Sequence, residues 1–529
     1  MRKNRLLVAL TAAVVTLTTW AVPGSTAQAS SPSTTARTKA PPAITWGRCT
    51  DATLRQVRAQ CGYVTVPMDY SNPSGEKIQL AVSRVRHTTL RSQGVMLVNP
   101  GGPGGSGLIY SVLGPLMPQR SGAGYDWIGF DPRGVGASRP SLSCRPNYVH
   151  PNRPPYVPAN QSDVQVWLER SKFYAQGCEK YGALLDHMKT IDSVRDMEQI
   201  RLALGVDKIN YYGYSYGTYL GQVYATLFPS HVRRMVFDSN VDPTKIWYES
   251  GADQTLAFER VYNLFFQWVA RHHQTYHLGR TGAVVKRQYL HQRQVLRGHP
   301  GNGVLGPSEW DDSFQIAGYL QAAWPLVAQG FTAWVHQKNP RPLMRIWRLM
   351  QTPGDDNTIA VFNAVTCTDA PVPGVSTQLA DSRRLFRAAP ISTWSSTWFS
   401  APCLYWPARP GKPVTVNGHG TSALLLGQTL DGATPFEGSL EVRSRFPNSR
   451  LVAIRGGTTH GSSPDLSGPC ATDRLVAYLK TGALPPRLPG RRADVSCAAP
   501  PPPQPMGATS ARGSTRAMRL TLGYSIALR

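Results

Sequence analysis

The sequence is poor in charge, and poorest in charge of one sign. Of 529 residues, 16% are Asp, Glu, Lys or Arg, with 31 acidic against 56 basic side chains. So few charges, without heptads or a three-residue glycine period, exclude a coiled coil and a collagen. A mean hydropathy of −0.27 excludes a polytopic membrane protein. The formal charge is +25, yet basic residues never run longer than doublets such as Arg233–Arg234, Arg383–Arg384 and Arg491–Arg492. Zinc-finger spacing, an RNP-like motif and a basic zipper are also missing, so nucleic acid is not an expected partner. The excess reads as diffuse surface charge, compatible with loose attraction to an anionic cell surface. What is present is material for a loop-rich globular protein: 41% hydrophobic residues, 48 glycines and 44 prolines.

The first residues look like an export leader. Arg2, Lys3 and Arg5 precede an apolar stretch from Leu6 to Val22, and Ala27-Gln28-Ala29 offers small residues for cleavage. This predicts a secretory signal over residues 1–29, cleaved near Ala29, and a secreted protein. The apolar stretch is a little long, so an uncleaved anchor is the alternative, but no stable membrane anchor is expected. Cleavage removes three positive charges from +25 and no negative ones, leaving +22.

Export makes the cysteines intelligible. They are Cys49, Cys61, Cys144, Cys178, Cys367, Cys403, Cys470 and Cys497, with no C-x-x-C pair among them. An even count in an oxidising compartment argues for disulfides over zinc, with a catalytic cysteine as the rival. Each successive pair brackets a short segment, so the expected pairing is sequential. Each such loop stabilises a fold by roughly 2–4 kcal/mol. No metal site is expected.

Residues 30–43, rich in Ser, Thr, Pro and Ala, read as a flexible spacer. Over residues 44–242 short apolar runs alternate with helical stretches. The runs at 94–99 (GVMLVN), 127–130 (WIGF), 209–212 (INYY) and 235–237 (MVF) read as buried strands, and 192–204 as a helix. Such alternation predicts an α/β fold, a mostly parallel sheet with covering helices. Across residues 243–402 strand signals nearly vanish. Phe258, Val261, Leu264, Phe265, Trp268 and Val269 recur at helical spacing, as do Phe314, Ala317, Leu320 and Trp324. This predicts a helical insertion. The sheet pattern returns over 403–498 with 422–426 (SALLL) and 450–454 (RLVAI), followed by a closing helix around 475–479. Residues 499–529 form a Pro-rich basic tail for which no packing role is expected.

The sharpest motif is Gly213-Tyr214-Ser215-Tyr216-Gly217, directly after the strand INYY and before a helical run. G-x-S-x-G in that strand–turn–helix setting is a nucleophile elbow, which thrusts a serine hydroxyl out of the sheet. A serine needs a base, and the base needs an orienting carboxylate. In this architecture acid and histidine each follow a later strand. Asp431 lies just past SALLL and His460 just past RLVAI, so they are the expected acid and base; Asp238, ending MVF, competes with Asp431. The reaction also needs donors for its oxyanion. The loop 99–107 (NPGGPGGSG) follows an early strand; Pro103 has no N–H, which makes Gly102 the expected donor beside Tyr216. The loop lacks the Lys-Ser/Thr ending of a phosphate-binding loop and the spacing of a dinucleotide fingerprint. No cofactor is expected.

With these residues placed, the chain resembles the secreted bacterial tripeptidyl aminopeptidases, prolyl iminopeptidase-like serine peptidases of the α/β-hydrolase superfamily. The likeness covers nearly all of residues 46–497. It rests on 66–70 (VPMDY), NPGGPGGSG, 129–138 (GFDPRGVGAS), 213–221 (GYSYGTYLG), 241–243 (VDP), 367–369 (CTD) and 484–486 (LPP). The resemblance implies an α/β-hydrolase fold with a helical cap, a triad of Ser215, Asp431 and His460, and hydrolysis of peptides from a free N-terminus. An exopeptidase must recognise an α-ammonium, best with a partly buried carboxylate. Candidates in the cap are Glu249, Asp253, Glu259 and Asp369. A secreted carboxylesterase or lipase would use the same triad.

Overall fold

A ten-stranded sheet carries the site. The computed structural model describes residues 41–506; the expected leader, most of the spacer and the end of the tail lie outside them. The strands are β1 (Gly47–Arg48), β2 (Gln60–Pro67), β3 (Lys77–Val85), β4 (Val95–Asn99), β5 (Asp126–Phe130), β6 (Ile209–Tyr214), β7 (Val232–Asp238), β8 (Ala423–Gln428), β9 (Ser449–Arg455) and β10 (Val495–Ala498). Their order is β1-β2-β3-β5-β4-β6-β7-β8-β9-β10. From β5 to β10 every pairing is parallel, whereas β1–β2, β2–β3 and β3–β5 are antiparallel.

Every residue of β4, β6 and β8 is buried. Strands covered by helices on both faces are apolar almost without interruption, and this is what makes them stand out in the sequence. The chain leaves β4 toward β5 on one side, and β6 pairs with β4 on the other, with Asn99 opposite Gly213. That reversal brings the loops after β4 and β6 side by side at the carboxyl end of the sheet, where α/β folds hold their ligands.

Between β7 and β8 the chain forms helices, chief among them Tyr248–Arg271, Gly282–Gly298, Pro307–Tyr319, Trp324–Gln337, Arg341–Gln351, Asn357–Asp369 and Val375–Ala388. They enclose a second core of their own, built around Phe265, Trp268, Trp310, Phe314, Trp324 and Trp347. The helix Gln161–Gln176, between β5 and β6, joins this side: Trp167 stacks on Trp398 with ring centres 5.8 Å apart. Cap packing therefore draws on residues well upstream of position 243.

The disulfides are Cys49–Cys61, Cys144–Cys178, Cys367–Cys403 and Cys470–Cys497, each joining neighbours in sequence. The start of the tail departs from expectation. Ala499 continues the pairing to Arg455, the Pro503 carbonyl accepts from the Trp268 indole at 3.0 Å, and the Met506 amide donates to the Tyr276 hydroxyl at 3.2 Å. Proline keeps its carbonyl although it lacks an N–H, so a Pro-rich run can still bind a cap. Among the described residues no helix is long and apolar enough to cross a membrane.

Candidate active site

Ser215 sits at the turn between β6 and the helix Tyr216–Leu227 with φ 54° and ψ −127°. A non-glycine residue held there stores on the order of 1–3 kcal/mol of strain, and an elbow that projects its side chain from the sheet requires that geometry. The turn is pinned from both sides, Ser215 N–H donating to the Asp238 carbonyl and the Ser215 carbonyl accepting from Thr218 N–H. Close approach requires its glycines. A Cβ on Gly217 would lie 2.5 Å from the Asn99 carbonyl oxygen, and one on Gly101 would lie 2.6 Å from that of Tyr214 and 2.8 Å from the Tyr216 nitrogen. The glycine loop after β4 is thus pressed against the elbow.

That loop is held by a residue the sequence reading did not single out. Asp131, buried just after β5, accepts from Ser106 Oγ at 2.7 Å, Gly107 N–H at 2.9 Å, Leu108 N–H at 3.2 Å and Ala137 N–H at 2.8 Å. Burial pushes its carboxyl above the ordinary value despite these bonds. Its position at the end of a strand, inside GFDPRG, was the available signal. Arg133 of the same motif makes a buried bidentate pair with Asp196.

His460 follows β9 and is buried. Its Nδ1 lies 2.9 and 3.1 Å from the two carboxylate oxygens of Asp431, while Nε2 is buried without a hydrogen-bond partner. The Asp431 carboxylate also accepts from Ala433 N–H, Thr434 N–H and Thr434 Oγ1. Burial alone would raise its pKa; the attraction of His460 and these hydrogen bonds outweigh it and hold the carboxyl below its usual range. Asp238 is committed elsewhere, to Ser463 through its amide at 2.6 Å and its hydroxyl at 2.5 Å. It braces the loop carrying His460, and the imidazole bonds Asp431.

A sequence model of the α/β hydrolase fold matches residues 94–300, and one described as TAP-like protein matches residues 389–497. The Streptomyces coelicolor tripeptidyl aminopeptidase is 41% identical over 479 residues, 87% of either chain. The chain belongs to the tripeptidyl aminopeptidase family of α/β hydrolases. Other relatives carry different names. "Serine protease Hip1" of Mycobacterium tuberculosis is 29% identical over 459 residues, covering 81% of this chain and 86% of that one. "Carboxylesterase B" of the same organism is 31% identical over 476 residues, covering 84% and 89%.

In this member of the tripeptidyl aminopeptidase family most of the candidate ammonium-binding acids already have partners. Asp253 pairs with Lys245 at 2.5 Å. Glu259 pairs with Lys286 at 2.5 Å and accepts from the Ile391 amide. Asp369 accepts from the Thr190 amide at 2.7 Å, the Thr190 hydroxyl at 2.5 Å and the Trp247 indole at 3.1 Å. Glu249, exposed in the first turn of Tyr248–Arg271, is the least committed.

Burial raises the Asp369 carboxyl to about 6. The folded chain therefore binds this proton more tightly than the unfolded one, whose value is near 3.8. The group favours folding most below pH about 4, and that contribution is lost as pH rises through about 6. The span corresponds to on the order of 3 kcal/mol. Asp369→Asn should flatten the fall in stability across this window, seen as urea midpoints that change less between pH 4 and 6.5 than those of the wild type.

Proposed function

We propose that the protein is an exported serine exopeptidase that releases tripeptides from free N-termini through Ser215, His460 and Asp431. The observation that carries this reading is the commitment of His460 Nδ1 to Asp431 with Nε2 left over for a hydroxyl. The Streptomyces relatives named for tripeptidyl aminopeptidase activity support the substrate class.

In this mechanism Ser215 attacks the scissile carbonyl as His460 Nε2 takes its proton, and Asp431 fixes the tautomer and stabilises the imidazolium. The amides of Gly102 and Tyr216 donate to the oxyanion. His460 then protonates the leaving amine, and water enters by the same route to release the acyl group. Glu249, Asp253, Glu259 and Asp369 remain the candidates for the substrate ammonium, and Glu249 is tested first because the other three already have partners. Four disulfides and the leader-like N-terminus support export. The basic surface supports loose attraction to an anionic envelope once outside.

The relative named carboxylesterase B favours a second reading, an esterase with the same triad. Arylamides of one to four residues, N-free and N-blocked, tested beside short acyl esters, separate the two. Preference for N-free tripeptides is the expected result, with Glu249→Gln narrowing the gap between free and blocked peptides. Cleavage confined to esters would falsify the peptidase reading.

A further inference from the structure

The loop bearing His460 is tied to two different parts of the molecule. Of three successive amides, Thr459 N–H donates to Gln428 Oε1 at 2.7 Å and Gly461 N–H to Ser239 Oγ at 2.8 Å, both groups of the sheet domain. The amide between them, that of His460, donates at 2.8 Å to the carbonyl of Tyr319. Tyr319 is the last residue of the cap helix Pro307–Tyr319. The final carbonyls of a helix have no partner within it, so this one is available to hold the catalytic loop. One residue pair on, the Gln321 amide donates to Thr459 Oγ1 at 3.4 Å.

The Tyr319 side chain acts on the same histidine. Its ring stands edge-to-face against the imidazole, with centres 5.6 Å apart and planes at 79°. The ring is itself backed by Phe258, 4.9 Å away, on the helix Tyr248–Arg271. Phe258 also lies against Gly432, the residue after Asp431, where an added Cβ would be 2.6 Å from its ring. The hydrogen bond from Nδ1 to Asp431 fixes one nitrogen but leaves the imidazole free to tilt about that axis. The side-chain torsion of histidine is broad, so packing on the ring must supply the remaining restraint. A misplacement of about 1 Å at such a centre can cost on the order of 100-fold in rate.

We propose that Tyr319 of the cap is a positioning residue for His460, its carbonyl placing the loop and its ring setting the tilt of the imidazole. This rests on the reading of His460 as the base. The cap then contributes to the chemical step itself, including for compounds too small to be gripped by it.

The test uses the full chain and two reagents. One is an N-free tripeptide arylamide; the other is a short alkyl fluorophosphonate, whose rate of labelling Ser215 depends on proton removal but requires little binding. Tyr319→Ala should slow labelling and lower kcat for the arylamide by a similar factor, about 10- to 100-fold. Tyr319→Phe, which keeps the ring, should restore most of both rates, and Tyr319→Leu provides a bulky variant without a ring should the alanine variant not fold. Unchanged labelling, with the loss confined to the KM of the peptide, would overturn the proposal and make Tyr319 a substrate contact. Failure of the phenylalanine variant to recover either rate would also overturn it. Activity surviving in Ser215→Ala is a separate result, one that sinks the reading of the site and this proposal with it.

Discussion

Ser215→Ala should abolish turnover of peptides and esters alike, lowering kcat by about 10⁴- to 10⁶-fold. The size follows from what the substitution removes. Without Oγ no acyl-enzyme can form, and the residual rate comes from the oxyanion donors and substrate binding alone. Little else is disturbed. The elbow is held by backbone bonds from Ser215 to Asp238 and Thr218, which alanine retains. Its positive φ is strained for serine and alanine equally. The thermal midpoint should therefore stay within about 2 °C of the wild type, consistent with the small effect of substitutions that leave packing intact. Activity on arylamides, labelling by a fluorophosphonate and the melting curve together check this. A variant with intact folding and more than a few per cent of its activity would show that the nucleophile lies elsewhere.

The second large effect is a contrast between two buried aspartates. Asp431→Asn should lower kcat by about 10⁴-fold, because an amide N–H facing Nδ1 enforces the wrong imidazole tautomer while leaving the geometry nearly intact. Asparagine keeps an oxygen for the amides of Ala433 and Thr434, so folding should survive. Asp238→Asn should instead cost about tenfold or less in kcat. Its carboxylate serves Ser463, and burial already raises its pKa, so a neutral side chain is tolerated better there. Comparable losses in kcat for both variants, at equal stability, would refute the assignment of the acid.

Much of the proposed site was legible because Ser215, Asp431 and His460 each sit just past a strand that the sequence announces. β4, β6 and β8 are buried along their whole length and read as largely apolar runs. β2 and β3 escaped notice for the opposite reason. They form the antiparallel end of the sheet, where Cys61-Gly62 and the polar residues Lys77, Gln79, Ser83 and Arg84 interrupt any apolar run. β10 is only four residues long and depends on its pairing with β9. The cap acids show a different limit. Asp253 meets Lys245 only eight positions away, a contact spacing can suggest, but Asp369 is met by Thr190 from 179 positions away. Whether a carboxylate is spare or spent is decided by such distant partners, and no local pattern records them. Tyr319 escaped for the same reason: its tie to His460 runs through a backbone carbonyl, which residue identity does not encode.

The docking of Pro503 on Trp268 bears on how this architecture can vary. The two residues are 235 positions apart, so the cap's aromatic cluster takes a hydrogen-bond acceptor from chain that follows β10. A cap exchanged between relatives as one continuous block would leave that acceptor behind with the recipient's own tail. The buried indole N–H would then go unmatched, at a cost of about 1–3 kcal/mol. Keeping that bond in such a chimera requires moving residues 499–506 together with the insertion.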